Sequence, residues 1–206
     1  MGIYLDSDAS MKTHVSQTVS SCFAVLRQIR SIRRSVTQQV VQTLVASLVL
    51  TCLDYGNATL ASLPTTQLDS LQSVMNAAAR LVVCSARKFE HITPLLRNFH
   101  WLRVPQRIEF KLAVLAFRCL HGTAPPYIAC ALRRVADIVS RRRLRSSSMS
   151  DHDVPSARLV TMGDRAFGDA ASRVWNDLPP NVTAVGAVTA SFQTATEDHA
   201  FQLLVH

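Results

Sequence analysis

Phosphate recognition is the chemistry this chain is best equipped for. Arg27, Arg30 and Arg34 recur at spacings of three and four, with Arg33 beside them. Arg107, Lys111 and Arg118, spaced by four and seven, share one side of a helical pattern further on, and Arg141, Arg142, Arg143 and Arg145 crowd a single segment. Guanidinium groups grip phosphate oxygens through a planar fork, so these clusters suit a nucleic-acid backbone. Ordinary solvated faces, and the negative end of a helix dipole near Arg30 to Arg34, account for the same residues without a ligand. Other chemistries find less support. Asp6 and Asp8, separated by Ser7, have the spacing of a metal-binding pair, but short acidic side chains after an apolar stretch fit a turn and helix start better. His91 and His100 stand alone, and lone histidines near apolar segments are ordinarily hydrogen-bonded structural residues. The sequence holds no Gly-rich phosphate loop, no H-E-x-x-H and no G-x-S-x-G. No catalytic residue, metal ligand or cofactor is assigned.

The charge is unevenly placed. The 206 residues carry a net +8, yet residues 1–150 hold 19 of the 22 Lys and Arg and only 7 of the 14 Asp and Glu, while the remainder is acidic. Nearly all the cations are arginine. A hydrophobic fraction of 48% with only 6 Gly and 8 Pro implies a helix-rich globular chain with a real core. The five cysteines, Cys22, Cys52, Cys84, Cys119 and Cys130, are odd in number and far apart. They read as reduced, mostly buried thiols of an intracellular protein, cytoplasmic or nuclear, and the sequons at Asn57 and Asn181 then carry no glycan. No membrane span and no signal peptide is expected.

These residues are positioned by a mainly α architecture: a multi-helix bundle with a short N-terminal strand and a small α(+β) C-terminal appendage. Residues 1–139 form the strand and the helical domain, 140–157 a basic Arg/Ser-rich linker, and 158–206 the appendage. The strand is read at Gly2–Leu5. A helix from Ser10 to Arg34 buries Met11, Val15, Val19, Cys22, Leu26 and Ile29. Thr37 caps a second helix whose apolar pairs, Val40/Val41 to Cys52/Leu53, predict the most buried member of the set. Further helices are expected from Pro64–Thr66 to Val82, from Thr93 to about His100, from Val104 to a stop at Gly122, from Tyr127 to Ile138, from Asp164 to Trp175, and from Ser191 to Leu204. A short strand is expected at Arg158–Met162. Trp101 and Trp175 sit in helical patterns, where core packing is the ordinary explanation.

Seven segments, taken in order, resemble the C-terminal part of reverse transcriptases encoded by non-LTR, LINE-type (jockey-like) retrotransposons. Met1-Gly2-Ile3-Tyr4-Leu5-Asp6 is similar to that family's Leu-Gly-x-x-Leu-Asp stretch closing the palm, and Ser10 to Arg34 looks like its first thumb helix. Leu53-Asp54-Tyr55-Gly56-Asn57 matches Leu-Asp-Tyr-Cys-Asn save for Gly56. Asn76 to Leu81, Pro125-Pro126-Tyr127-Ile128, Arg143-Leu144-Arg145-Ser146-Ser147, and Gly163 to Pro179 complete the series. Two departures stand out. Pro105 comes two residues later than the family's Trp-Leu-Pro-Val, and the segment Ser191 to His199 lacks the usual lysines. Asp54 precedes its tyrosine and is single, so it is not the family's Tyr-x-Asp-Asp metal-binding turn; a capping or buried hydrogen-bond role is expected instead.

The resemblance implies a thumb-like, non-catalytic fragment of an RNA-directed DNA polymerase, lacking the palm and the endonuclease. Arg27, Arg30, Arg33, Arg34, Arg107, Lys111, Arg141, Arg142, Arg143 and Arg145 would then contact the backbone of an RNA–DNA or DNA duplex, with a palm domain supplied by another chain as a further partner. No membrane and no small-molecule substrate is implied. The competing readings are a helical protein-interaction module using Trp101 and Trp175, and an inactive retrotransposon relic.

Overall fold

The first helix begins where acidic side chains can satisfy its free amides. The computed structural model describes residues 2–83, 91–133, 154 and 163–178. In it α1 spans Lys12–Ile32. Asp6 accepts from the Ser10 hydroxyl at 3.0 Å and from the Thr13 amide at 3.2 Å, and Asp8 accepts from the Ser10 amide at 3.0 Å. Both carboxylates are therefore turn and helix-start residues, as their types suggest. The Thr13 bonds hold the Asp6 carboxyl below the usual carboxylate range, and Ser10 does the same for Asp8. Gly2–Leu5 departs from expectation: it is exposed and forms no strand, and no strand occurs among the described residues. A strand needs a neighbour's ladder to satisfy its amides and carbonyls, and none lies beside it here.

The chain divides into two compact units, one of residues 1–57 and 63–107, the other of 58–62 and 108–206. In the first unit, α1 gives way to a 3-10 turn at Arg33–Ser35, and Thr37 then caps α2 (Gln38–Val45) by accepting from the Val40 amide. A π turn at Ala46–Leu50 follows, and α3 is Thr51–Asp54. The Thr51 amide and hydroxyl both donate to the Ala46 carbonyl. The widened turn holds Val49, Leu50 and Leu53 on the buried stripe begun by Val41 and Val45. Within the expected pairs Val40 and Leu48 are exposed instead, while Leu44 and Cys52 are half-buried.

The most buried helix is α4 (Thr65–Val82), which encloses Leu71, Val74, Met75, Ala78, Ala79, Leu81 and Val82. It packs against α1, α2 and α5 (Ile92–Asn98). Ala78 and Ala79 are wholly buried and, being small, let neighbouring helices approach closely, whereas the wide apolar face of α2 only marks one buried stripe. Each fully buried Val, Leu or Met side chain contributes about 1.5–3 kcal/mol. Trp101 and Leu102 add to this core. At the head of α6 (Val104–Leu120), Gln106 accepts from the Arg103 amide and Gln72 of α4 accepts from the Val104 amide. Pro105 in the first turn lacks an amide to satisfy, so the shifted proline still opens a helix.

In the second unit, α6 ends at Leu120, with Gly122 in the left-handed region at φ 68°. Within the helix expected over Tyr127–Ile138, the described residues form a single turn, α7 (Pro126–Ala129), closed by amide bonds from Cys130 and Ala131, and 134–138 lie outside the described residues. The last described helix, α8 (Phe167–Asn176), buries Ala170, Ala171, Ser172 and Trp175. Arg173 bonds Asp164 at 2.6 Å, and the Ser62 hydroxyl donates to the Asp164 carbonyl. A Cβ on Gly168 would lie 2.7 Å from the Ala131 carbonyl oxygen, so glycine is required by that close approach. The strand expected at 158–162, the helix at 191–204 and both linker boundaries lie outside the described residues. Among the described residues, no helix is long and apolar enough to cross a membrane.

Candidate nucleic-acid interface

Helix geometry decides which arginines act together. At 100° per residue, Arg27 and Arg30 fall on one flank of α1, and Arg34 continues that flank on the 3-10 turn. All three are exposed. From Arg27 to Arg34 the ridge runs roughly 10 Å, the length of about three base steps along one strand. No described carboxylate pairs with them. The sequence explains why: residues 9–53 include five Lys and Arg but no Asp or Glu. That acid-free run is a plain signal which reasoning from the arginine spacing alone overlooks. Arg30 also sits in the last turn of α1, where the helix dipole favours a cation. Arg27 lies a turn earlier and draws less from that effect.

Arg33 does not join the ridge. It is half-buried in the 3-10 turn, and its Nη2 is buried without a hydrogen-bond partner. Arg107 is removed further still. Its side chain is buried, Nε donates to Asp54 Oδ1 at 2.8 Å and Nη2 binds Asp54 Oδ2. Its fork is committed to a carboxylate within the protein, so its expected role as a backbone contact is withdrawn. The same pairing gives Asp54 the hydrogen-bonded role read from its position, with Asn57 Nδ2 donating to it at 3.4 Å. Lys111 is exposed on the part of α6 that belongs to the second unit. Arg141, Arg142, Arg143 and Arg145 lie outside the described residues.

Other candidates resolve simply. His91 precedes α5, and His100 follows it with a left-handed φ of 55°. No group of three His, Cys, Asp or Glu among the described residues is placed to hold a metal ion. Cys22 is buried, Cys52 and Cys119 half-buried and Cys130 exposed, all as free thiols, so burial is less general than the sequence suggested. Burial, reinforced by the neighbouring Cys52 thiol, pushes the Cys22 thiol up to about 12. Trp101 and Trp175 are both buried, as core residues rather than a partner surface. His14 went unremarked in the sequence because no spacing rule picks out one buried histidine. It is only 5% exposed, its Nδ1 has no partner, and burial lowers its affinity for a proton.

Comparison with protein-family models, curated proteins and solved structures finds no match to this chain.

Proposed function

We propose that this chain is a non-catalytic, thumb-like module that holds a template–primer duplex by its phosphate backbone. The observation that carries this reading is the exposed ridge of Arg27, Arg30 and Arg34 along one helix flank, in a stretch free of carboxylates. The ordered resemblance to LINE-type reverse transcriptases supports it. Arg33 and Lys111 are secondary contacts in this reading, and Arg141, Arg142, Arg143 and Arg145 add positive charge. Such contacts position a duplex without reading its sequence. In the protein-interaction alternative, Trp101 and Trp175 cannot be the contact, because both are buried.

Fluorescence anisotropy with a labelled RNA–DNA primer–template, titrated at several salt concentrations, tests the proposal. Each phosphate neutralised on B-form DNA adds about 0.9 to the log–log slope. Reversing Arg27, Arg30 and Arg34 to Glu should therefore flatten the slope by about 3 units and weaken binding many-fold. Affinity unchanged between low and physiological salt, or equal affinity of the reversed variant, would sink it.

A further inference from the structure

The flank of α1 roughly opposite the arginine ridge carries a small open pocket, with a cavity volume of about 110 Å³. His14, Gln17, Thr18 and Ser21 of α1 form one wall, and Tyr4 and Tyr55 supply aromatic surface on others. None of the eight lining residues carries a formal charge. His14 joins that wall with a side chain only 5% exposed, its ring 6.3 Å from that of Tyr4, and its unpartnered Nδ1 is itself sealed from solvent.

The chemistry of the lining narrows the occupant. With no cation present, a phosphate or carboxylate has nothing to neutralise it; with no carboxylate, an amine has no counter-charge. Tyr and His rings favour a flat π system. Hydroxyls and an amide, each both donor and acceptor, favour a ring whose edge alternates the two. Size sets the remaining limit: an engineered cavity of about 150 Å³ holds benzene, so a smaller pocket open on one side admits a single six-membered ring and not a fused pair.

We infer that the Tyr4–His14–Gln17–Tyr55 pocket binds one neutral pyrimidine-type ring, stacked on its tyrosine surface and paired along its edge with the hydroxyls and the Gln17 amide. That ring is either an unstacked base of a single strand or a free nucleoside. The inference does not rest on the backbone-binding proposal, since the arginine ridge occupies the other flank of the helix.

The test is a titration of the full chain with uridine, read by the nitrogen chemical shift of the His14 ring, alongside an oligouridylate. Uridine should shift the His14 Nδ1 signal saturably, with a dissociation constant on the order of 1 mM. Tyr4→Ala, at an exposed position of the lining, should abolish that shift. Gln17→Ala, at an exposed position where folding is not at stake, should weaken it about tenfold. Arg27→Glu, Arg30→Glu and Arg34→Glu together should leave uridine affinity unchanged while removing duplex binding. An oligouridylate that moves the same signal more tightly, and loses that effect in Gln17→Ala, identifies a strand as the source; a response to uridine alone identifies the nucleoside. No movement of the His14 signal with uridine, cytidine or the oligonucleotide up to about 10 mM overturns the inference, as does equal affinity for benzyl alcohol.

Discussion

Removing the Asp54 carboxylate would leave the Arg107 guanidinium buried without its counter-charge. Breaking a buried pair by deleting one partner costs about 3–5 kcal/mol. The Asp54 side chain is about a third exposed, which screens part of the attraction, so Asp54→Ala should cost about 3 kcal/mol in chemical denaturation. An unchanged denaturation midpoint would contradict the structural role given to this pair. His14 makes a prediction of a different kind. Its folded form resists protonation because it is buried, so the unfolded chain binds the proton more readily. The stability this contributes is complete above the ordinary histidine value near 6.5 and is lost as pH falls through the lowered folded value. Thermal melts should show a declining midpoint below about pH 6.5 that His14→Phe flattens; parallel pH profiles would reject it. Residue types alone made Asp6, Asp8 and Asp54 legible, because capping and pairing are local habits of carboxylates. Arg107 was misread because helical spacing gives direction around an axis, while burial depends on what lies across from it.

Elements show the same division between local and distant causes. Thr37 as a cap, Pro105 in the first turn of α6 and Gly122 just beyond its end were all readable, since each acts on its own helix. The π turn at Ala46–Leu50 was not, because apolar pairs four apart fit an unbroken helix equally well. Nor was the brevity of α7, whose sequence continues without a glycine or proline to stop it. The α8 helix offers a test where propensity and packing disagree. Alanine normally gains about 1 kcal/mol over glycine in a helix interior. At Gly168 the added Cβ would meet the Ala131 carbonyl at 2.7 Å, and backbone cannot swing aside as a side chain can. Gly168→Ala should therefore destabilise the protein, by about 1–3 kcal/mol in urea denaturation. A stabilised variant would show that the close approach is slack.

Across the whole molecule, helix-rich character followed from composition and periodicity, whereas the split into two units within α6 did not. An uninterrupted helical pattern carries no mark of where its contacts change allegiance. The arginine ridge was legible as spacing, and its lack of counter-charges as composition. The pocket on the other flank depends on residues drawn from Gly2 to Tyr55 and has no sequence pattern at all. The acid-free stretch has one more consequence. Arginine stays protonated throughout the working range, and no carboxylate between residues 9 and 53 can gain or lose a proton there. Apart from His14, which takes up a proton only below the ordinary histidine value near 6.5, the field along α1 has almost nothing to titrate between about pH 5 and pH 9. Duplex affinity routed through this flank should respond steeply to ionic strength yet scarcely to acidity, and a pronounced pH optimum would assign the binding to some other face.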